Sequence, residues 1–267
     1  MSIVIENDGE YREVKYSRVL PLEKMTREEI IEKIREAGIV GMGGAGFPTH
    51  VKLSPKEPDK IDYVIVNCAE CEPLLKLHRQ VMETYAFEIL TALNTVKNAV
   101  GATRVIIAIK PSYKKAVDAI KSQINDFKKI SIGYLPEVYP AGDEIILIYE
   151  ATGRVVPAGN IPISVGVIVF NVETVLNIYN AVKNGAPVTH KFVTVAGEVK
   201  NPLTVYAPIG VTVEKLIDLA GGITAADTEI VLGGPMMGSI GSLTDTVTKT
   251  TNAVLILPKS LPLVQKK

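Results

Sequence analysis

Two short stretches concentrate the residues able to do chemistry: Gly41 to Lys52, GMGGAGFPTHVK, and Asn67 to Pro73, NCAECEP. Gly41, Gly43 and Gly46 fit the pattern G-x-G-x-x-G, and glycines without a Cβ let backbone N–H groups approach a phosphate or a planar ring. Lys52 adds a point charge suited to a phosphate. A dinucleotide fingerprint of this pattern follows a strand and opens a helix, whereas here a helical pattern precedes the glycines and Pro48 prolongs the loop. The loop therefore reads either as a nucleotide or flavin cradle of another kind or as a tight surface turn. In the second stretch Asn67 can give and take hydrogen bonds along the edge of a heterocycle, and Glu70 or Glu72 can accept from a ribose hydroxyl or an amide. Cys68 and Cys71 have the C-x-x-C spacing of an exchanging dithiol. The neighbouring acids oppose thiolate formation, and two partly buried small apolar residues are the alternative reading. Gly142-Asp143-Glu144 forms a second acidic turn, with Asp143 also suited to cap a helix.

A zinc site takes about four ligands, and one C-x-x-C with three scattered histidines supplies half a set. No metal site is expected. His50 and His78 lie near the two stretches but receive no role, since lone histidines most often satisfy local hydrogen bonds. No Walker loop, H-E-x-x-H or Ser/His/Asp pattern points to an NTPase or hydrolase.

The elements that position these residues come from a chain of 267 residues, 47% of them apolar, enough to bury two modest cores. Lysine plus arginine equals aspartate plus glutamate at 29 each, so no net field draws the protein to nucleic acid or anionic lipid. No apolar run approaches the roughly 18 residues needed to cross a bilayer. The opening MSIVIENDGEYREVKY lacks the basic, apolar and small-residue order of a secretory signal. The expected compartment is the cytoplasm, with peripheral docking on the inner face of the membrane through a partner.

Residues 2 to 15 alternate around Asp8-Gly9 and predict a hairpin. Thr26 and Glu29 form a capping box, Ile30, Ile31 and Ile34 a helical stripe, and Gly38 its stop. Beyond the glycine loop the pattern predicts a strand over 63–66, one or two helices over 74–100, a strand over 104–109, a helix over 114–127, a strand over 130–138, a helix over 144–152 and a strand over 165–170. That alternation implies helices layered on a largely parallel sheet. Near Ala186-Pro187 the texture becomes β-rich, with strands at 192–195 and 203–206 and a helix over 211–219, as in a small α+β domain. The domains expected are an extension over 1–24, an α/β domain over 25–187, an α+β domain over 188–258 and a tail over 259–267.

GMGGAGFPTHVKL, NCAECEP, YPAGDE and FNVETV occur in that order and resemble the RnfC component of Rnf-type electron transport complexes, and more distantly the NADH-oxidising flavoprotein subunit of complex I. TVAGEVKNP, APIGVTVEKLI, GGPMMG and KTTNAVLIL resemble the soluble-ligand-binding β-grasp domain that follows in those proteins. The resemblance implies a Rossmann-like FMN-binding domain, with NADH as electron donor, then a β-grasp domain. It assigns FMN and dinucleotide contacts to Gly41, Gly43, Gly44, Ala45, Gly46, Phe47 and Lys52, to Asn67 and Glu70, to Gly142 and Glu144, and to Asn171. Met42 stands where complex I has an arginine, Ala69 where it has a flavin-contacting aspartate, and Cys68 and Cys71 where it has alanine and serine.

The thiol pair resembles that of Rnf-related proteins that feed proline reductase in anaerobic bacteria. The family's two 4Fe-4S clusters belong to a cysteine-rich segment expected beyond Lys267, since two cysteines cannot hold a cluster. Three functions follow. The first is an electron-entry module passing electrons from NADH through FMN to other electron-transfer subunits. The second is a dithiol carrier using Cys68 and Cys71 as its redox pair to feed a reductase. The third is a cofactor-free scaffold.

Overall fold

A computed structural model describes residues 6, 8–10, 21–55 and 60–266. The hairpin expected over 2–15 lies outside them apart from 6 and 8–10. Helix α1 (Arg27–Glu36) forms where the capping box predicts it: Thr26 Oγ1 accepts from Glu29 N and the Glu29 carboxylate accepts from Thr26 N. Ile30 and Ile34 bury its inner stripe. After the glycine loop come a single turn, α2 (Thr49–Lys52), and the first strand, β1 (Tyr63–Asn67).

The chain then runs α3 (Leu77–Thr84), α4 (Ala86–Ala99), β2 (Arg104–Ile109), α5 (Lys114–Lys121), β3 (Ile130–Tyr134), α6 (Glu144–Thr152), β4 (Val167–Asn171) and α7 (Val172–Asn184). Several elements differ from expectation. Leu74 takes a left-handed φ of 71°, so α3 starts only at Leu77. Helix α5 ends at Lys121, and a separate 3-10 turn covers Ile124–Asp126. The strand expected to reach 138 stops at Tyr134, two residues before Pro136, which has no N–H for a ladder. Helix α7, capped by Asn171 and closed by Gly185 in the left-handed region, stands where the sequence predicts no helix.

The four strands are parallel in the order β3-β2-β1-β4. The pleat divides their side chains. Val64, Val66, Val105, Ile107, Ile168 and Phe170 pack against α1, α3, α4, α5 and α7, while Ile65, Ile106, Ala108, Val167 and Val169 pack under α6. The chain moves outward from β1 to β3, then returns across the sheet to β4 through α6. The direction of winding reverses between β1 and β4. At such a switch point the connections leave the carboxyl ends of two adjacent strands in opposite directions and open a crevice.

From His190 a second sheet begins: β5 (His190–Gly197), β6 (Leu203–Pro208), α8 (Val213–Leu219), β7 (Thr228–Leu232), β8 (Ser239–Ile240) and β9 (Ala253–Pro258), followed by α9 (Pro262–Gln265). The strand order is β6-β5-β9-β7-β8, with β5 and β9 parallel and the other pairs antiparallel. Val213, Leu216 and Ile217 of α8 close its core over Val193, Val195, Val254 and Ile256. The α/β layer followed by a mixed sheet gripping one helix is the fold class expected. No described helix is long and apolar enough to cross a membrane.

Candidate functional site

The crevice between β1 and β4 is where most of the singled-out residues meet. Asn67, the last residue of β1, donates from Nδ2 to Gly142 O at 2.8 Å and accepts at Oδ1 from Ala69 N at 3.1 Å. It thereby ties the NCAECEP turn to the acidic turn before α6. Gly142 sits so tightly there that a Cβ would lie 2.5 Å from Cys71 Sγ and 3.0 Å from Ala69 Cβ. Asp143 caps α6 by accepting from Ile145 N and Ile146 N. Glu144, next in the chain, stands 3.8 Å from Lys52 Nζ. Lys52 in turn donates to Val169 O at 2.8 Å, so its amine is fixed against the middle of β4. Burial pushes that ammonium's pKa down, and the Glu144 carboxylate opposes the shift.

The glycine loop is closed at its neck and open at its tip. Gly41 N donates to Phe47 O, Gly46 N to Gly41 O and Thr49 N to Ile39 O. Met42 N donates to Thr174 Oγ1 at 3.0 Å, pinning the loop to α7. The Met42 side chain is wholly buried, which accounts for an apolar residue at this position. At the tip Gly43, Gly44 and Ala45 are exposed, and among the described residues their three amides have no hydrogen-bond acceptor. Phe47 beside them is 49% exposed, an apolar ring offered to solvent.

Asn171 joins this loop to the sheet. Its Nδ2 lies 2.8 Å from where a Cβ of residue 43 would stand, so a larger residue there would displace the Asn171 amide. Its Oδ1 accepts from Glu173 N at 2.9 Å, and its Nδ2 meets His78 Nε2 at 2.7 Å. An amide N–H₂ can only donate, so His78 Nε2 accepts and the ring is neutral. Burial pushes the His78 pKa down to about 4, the Lys191 charge acts in the same direction, and the Ala69 backbone opposes both. His78 is the residue that sequence reasoning passed over. No local pattern marks it, because its partner lies 93 positions away.

Glu70 is placed at the crevice but is already engaged: its carboxylate accepts from His78 N at 2.9 Å and Arg79 Nε at 2.8 Å. Burial raises its pKa, and the Arg79 guanidinium opposes that. The two thiols part company. Cys68 continues the pleat of β1 into the helix-side core, fully buried and 3.6 Å from Val66 O, where burial pushes its pKa far up. Cys71 lies half-buried against Gly142 and Ala69 of the other layer. In this arrangement Cys68 is neither exposed nor ready to ionise, as exchange requires.

Glycines that admit a close neighbour, three unspent amides, a tethered lysine, an asparagine and an exposed aromatic ring suit a ligand with a phosphate and a planar ring. Comparison with known proteins agrees. Residues 34–180 match the Nuo51 FMN-binding domain, and residues 192–239 match the SLBB domain. Cobalamin reductase PduS of Salmonella typhimurium is 47% identical over 244 residues, 91% of this chain and 53% of that protein. A subunit of the Na(+)-translocating ferredoxin:NAD(+) oxidoreductase complex of Acetobacterium woodii is 36% identical over 262 residues, 97% of this chain and 59% of that protein. The chain thus spans little more than half the length of these relatives. Among solved structures, an NAD+-reducing [NiFe]-hydrogenase in the H2-reduced state has the same fold, with a TM-score of 0.73 at 21% identity, over 90% of this chain and 48% of that one.

Proposed function

The chain belongs to the Nuo51 FMN-binding domain family, and from that premise we propose that it is the electron-entry module of a larger electron-transfer assembly, taking electrons from NADH through FMN. The observation that carries this reading is the open tip of the glycine loop, with its unspent amides at the carboxyl ends of two parallel strands.

When bound, FMN accepts a hydride and passes electrons on singly. The protein's part is to bind and orient. The amides of Gly43, Gly44 and Ala45 receive the phosphate, with Gly41 and Gly46 holding the neck of their loop closed. Lys52 places its charge against β4 and opposite Glu144, and Asn171 presents its amide beside Gly43. Asn67 and Gly142 hold the acidic turn so that Glu144 faces Lys52 across the crevice, where the two can meet the polar edges of the flavin or nicotinamide. Glu70 braces α3 and the turn before it. Phe47 offers a surface on which the adenine of NADH stacks.

The relatives support a shared entry step. PduS is named for a cobalamin and the Acetobacterium woodii complex for a ferredoxin, yet both proteins align over the same stretch of this chain. Both align over nearly all of this chain, its flavin and SLBB units alike, so the partner that exchanges electrons with the shared part is set elsewhere. Electrons then leave to iron–sulfur centres or to a reductase outside these residues, in a complex seated peripherally at the membrane. The geometry of Cys68 weighs against the dithiol carrier.

The test is to load the purified chain with FMN, remove the excess by gel filtration and record the visible spectrum before and after NADH under anaerobic conditions. Retained flavin that bleaches on NADH addition is expected. Absence of retained flavin would overturn the reading.

A further inference from the structure

Apart from the flavin crevice, helices α4 and α7 and strands β5 and β6 enclose a cleft of about 330 Å³ at the joint between the two units, with none of the crevice residues in its lining. Aromatic rings wall it. Tyr85 just before α4, Phe192 on β5 and Tyr206 on β6 pack in a row, with ring centroids 6.2 Å apart for the first pair and 4.6 Å for the second, and Tyr179 of α7 adds a fourth ring. Among these rings stand two acceptors that nothing uses. The Glu88 carboxylate on α4 has neither a hydrogen bond nor an ion pair among the described residues. Burial and that carboxylate together raise the Tyr179 pKa, so its charge is felt at the wall of the cleft. Asn177 is 7% exposed; its Nδ2 donates to Glu173 O at 3.0 Å, whereas its Oδ1 accepts no hydrogen bond among the described residues and is not sealed from the cleft. No lysine or arginine is among the residues that line it.

We propose that this cleft is a binding site for a guanidinium group, which stacks on the tyrosine rings while its N–H groups donate to Glu88 and to Asn177 Oδ1. The chemistry selects among ligands. An anion meets the Glu88 charge with no cation to offset it, and an apolar group leaves both acceptors desolvated without a donor. An ammonium answers the charge but is compact and strongly hydrated, whereas a guanidinium is planar and weakly hydrated, stacks on aromatic faces and donates along a fixed edge to a carboxylate. The two units build the site together, because α4 and α7 supply the acceptors and the second sheet supplies Phe192 and Tyr206. The site needs no flavin.

The experiment titrates the whole chain, without flavin, with N-acetylarginine amide and with its uncharged isostere N-acetylcitrulline amide, following by NMR the asparagine side-chain amides and the tyrosine rings. Saturable binding of the arginine compound that moves the Asn177 and Tyr179 signals is expected, with the citrulline compound weaker by roughly tenfold or more, as for a lost charge-assisted hydrogen bond. Glu88→Gln is expected to bring the arginine compound down to the citrulline level, and Tyr206→Ala to weaken it roughly twofold to fivefold. Thermal unfolding checks that both variants fold, which is expected because both side chains reach solvent; should one not fold, the contrast between the two compounds decides. Free arginine separates the sources: tighter binding of the capped compound assigns the cleft to an arginine on a partner chain, and tighter binding of the free amino acid to a small-molecule ligand. No saturable binding, equal affinity for the citrulline compound, or unchanged affinity in a folded Glu88→Gln overturns the proposal.

Discussion

Gly142 and His78 show how closely the crevice is fitted. A methyl group on residue 142 would stand 2.5 Å from Cys71 Sγ, and relieving it requires the sulfur or the backbone to move. Gly142→Ala should therefore cost about 1–3 kcal/mol in urea unfolding, as overpacking does, and Cys71→Ala in the same chain should recover most of it. Failure of the second change to help would show that the strain lies in the backbone and not at the sulfur. His78 makes a pH-dependent contribution whose sign is set by its neutral state. Its pKa falls from 6.5 to about 4 on folding, so as the pH drops the unfolded chain takes the proton first. The stability it protects is whole above pH 6.5 and drains away as the pH falls towards 4, up to about 3 kcal/mol in all. Urea unfolding at pH 7.5 and pH 4.5 should show a larger loss in the unaltered chain than in His78→Gln. Equal losses would mean that carboxylates alone carry the acid sensitivity.

At the scale of elements, Asn171 does two jobs that one substitution can separate. As the N-cap of α7 it needs an acceptor for Glu173 N, and as the neighbour of His78 it needs an N–H₂. Asn171→Asp keeps the cap but strands the buried His78 Nε2 acceptor, so it should cost about 1–3 kcal/mol while FMN is retained more weakly, whereas Asn171→Ala should lose about 1 kcal/mol more for the cap. Equal stability of the two variants in urea would separate Asn171 from the capping of α7. The same residue shows what a sequence discloses. The capping box of α1 and the runs that became β1, β2 and β4 are local signals and were readable, and so were the glycine loop and the acidic turn. Helix α7 was not, because Val172, Thr174 and Val175 at its start carry strand propensity and its cap resembles the end of the preceding strand. The C-x-x-C spacing suggested an exchanging dithiol, yet the pleat of β1 continues through Cys68 and buries its thiol in the helix-side core. His78 gave no local sign because its neighbour is made by tertiary folding alone.

Across the whole molecule, polar contacts made by Glu72, Lys249 and Glu173 join the α/β layer to the mixed sheet. Glu72 accepts from Met236 N and Met237 N at 2.8 Å each, with its carboxyl pressed against Gly234; Lys249 reaches Gly38 O; and Lys191 of β5 pairs with Glu173 of α7 in full burial. The last differs in kind, since burial drives Lys191 and Glu173 towards their neutral forms and their mutual attraction opposes this. A buried pair of this sort adds little net stability over a well-packed apolar pair, but removing one partner strands the other. Glu173 also accepts from Phe192 N and follows Asn171 by two positions, so the strain of a stranded charge would fall beside the crevice. Glu173→Gln and Lys191→Met should each lose about 3–5 kcal/mol in urea unfolding, while the double variant should lose clearly less than their sum because no lone charge remains. FMN affinity should follow the same pattern, weakened in each single variant and partly restored in the double, because it is the displacement of Glu173 that disturbs Asn171. Additive losses in stability would show that the two groups act separately, and an affinity indifferent to all three variants would show that the joint between the units does not reach the site.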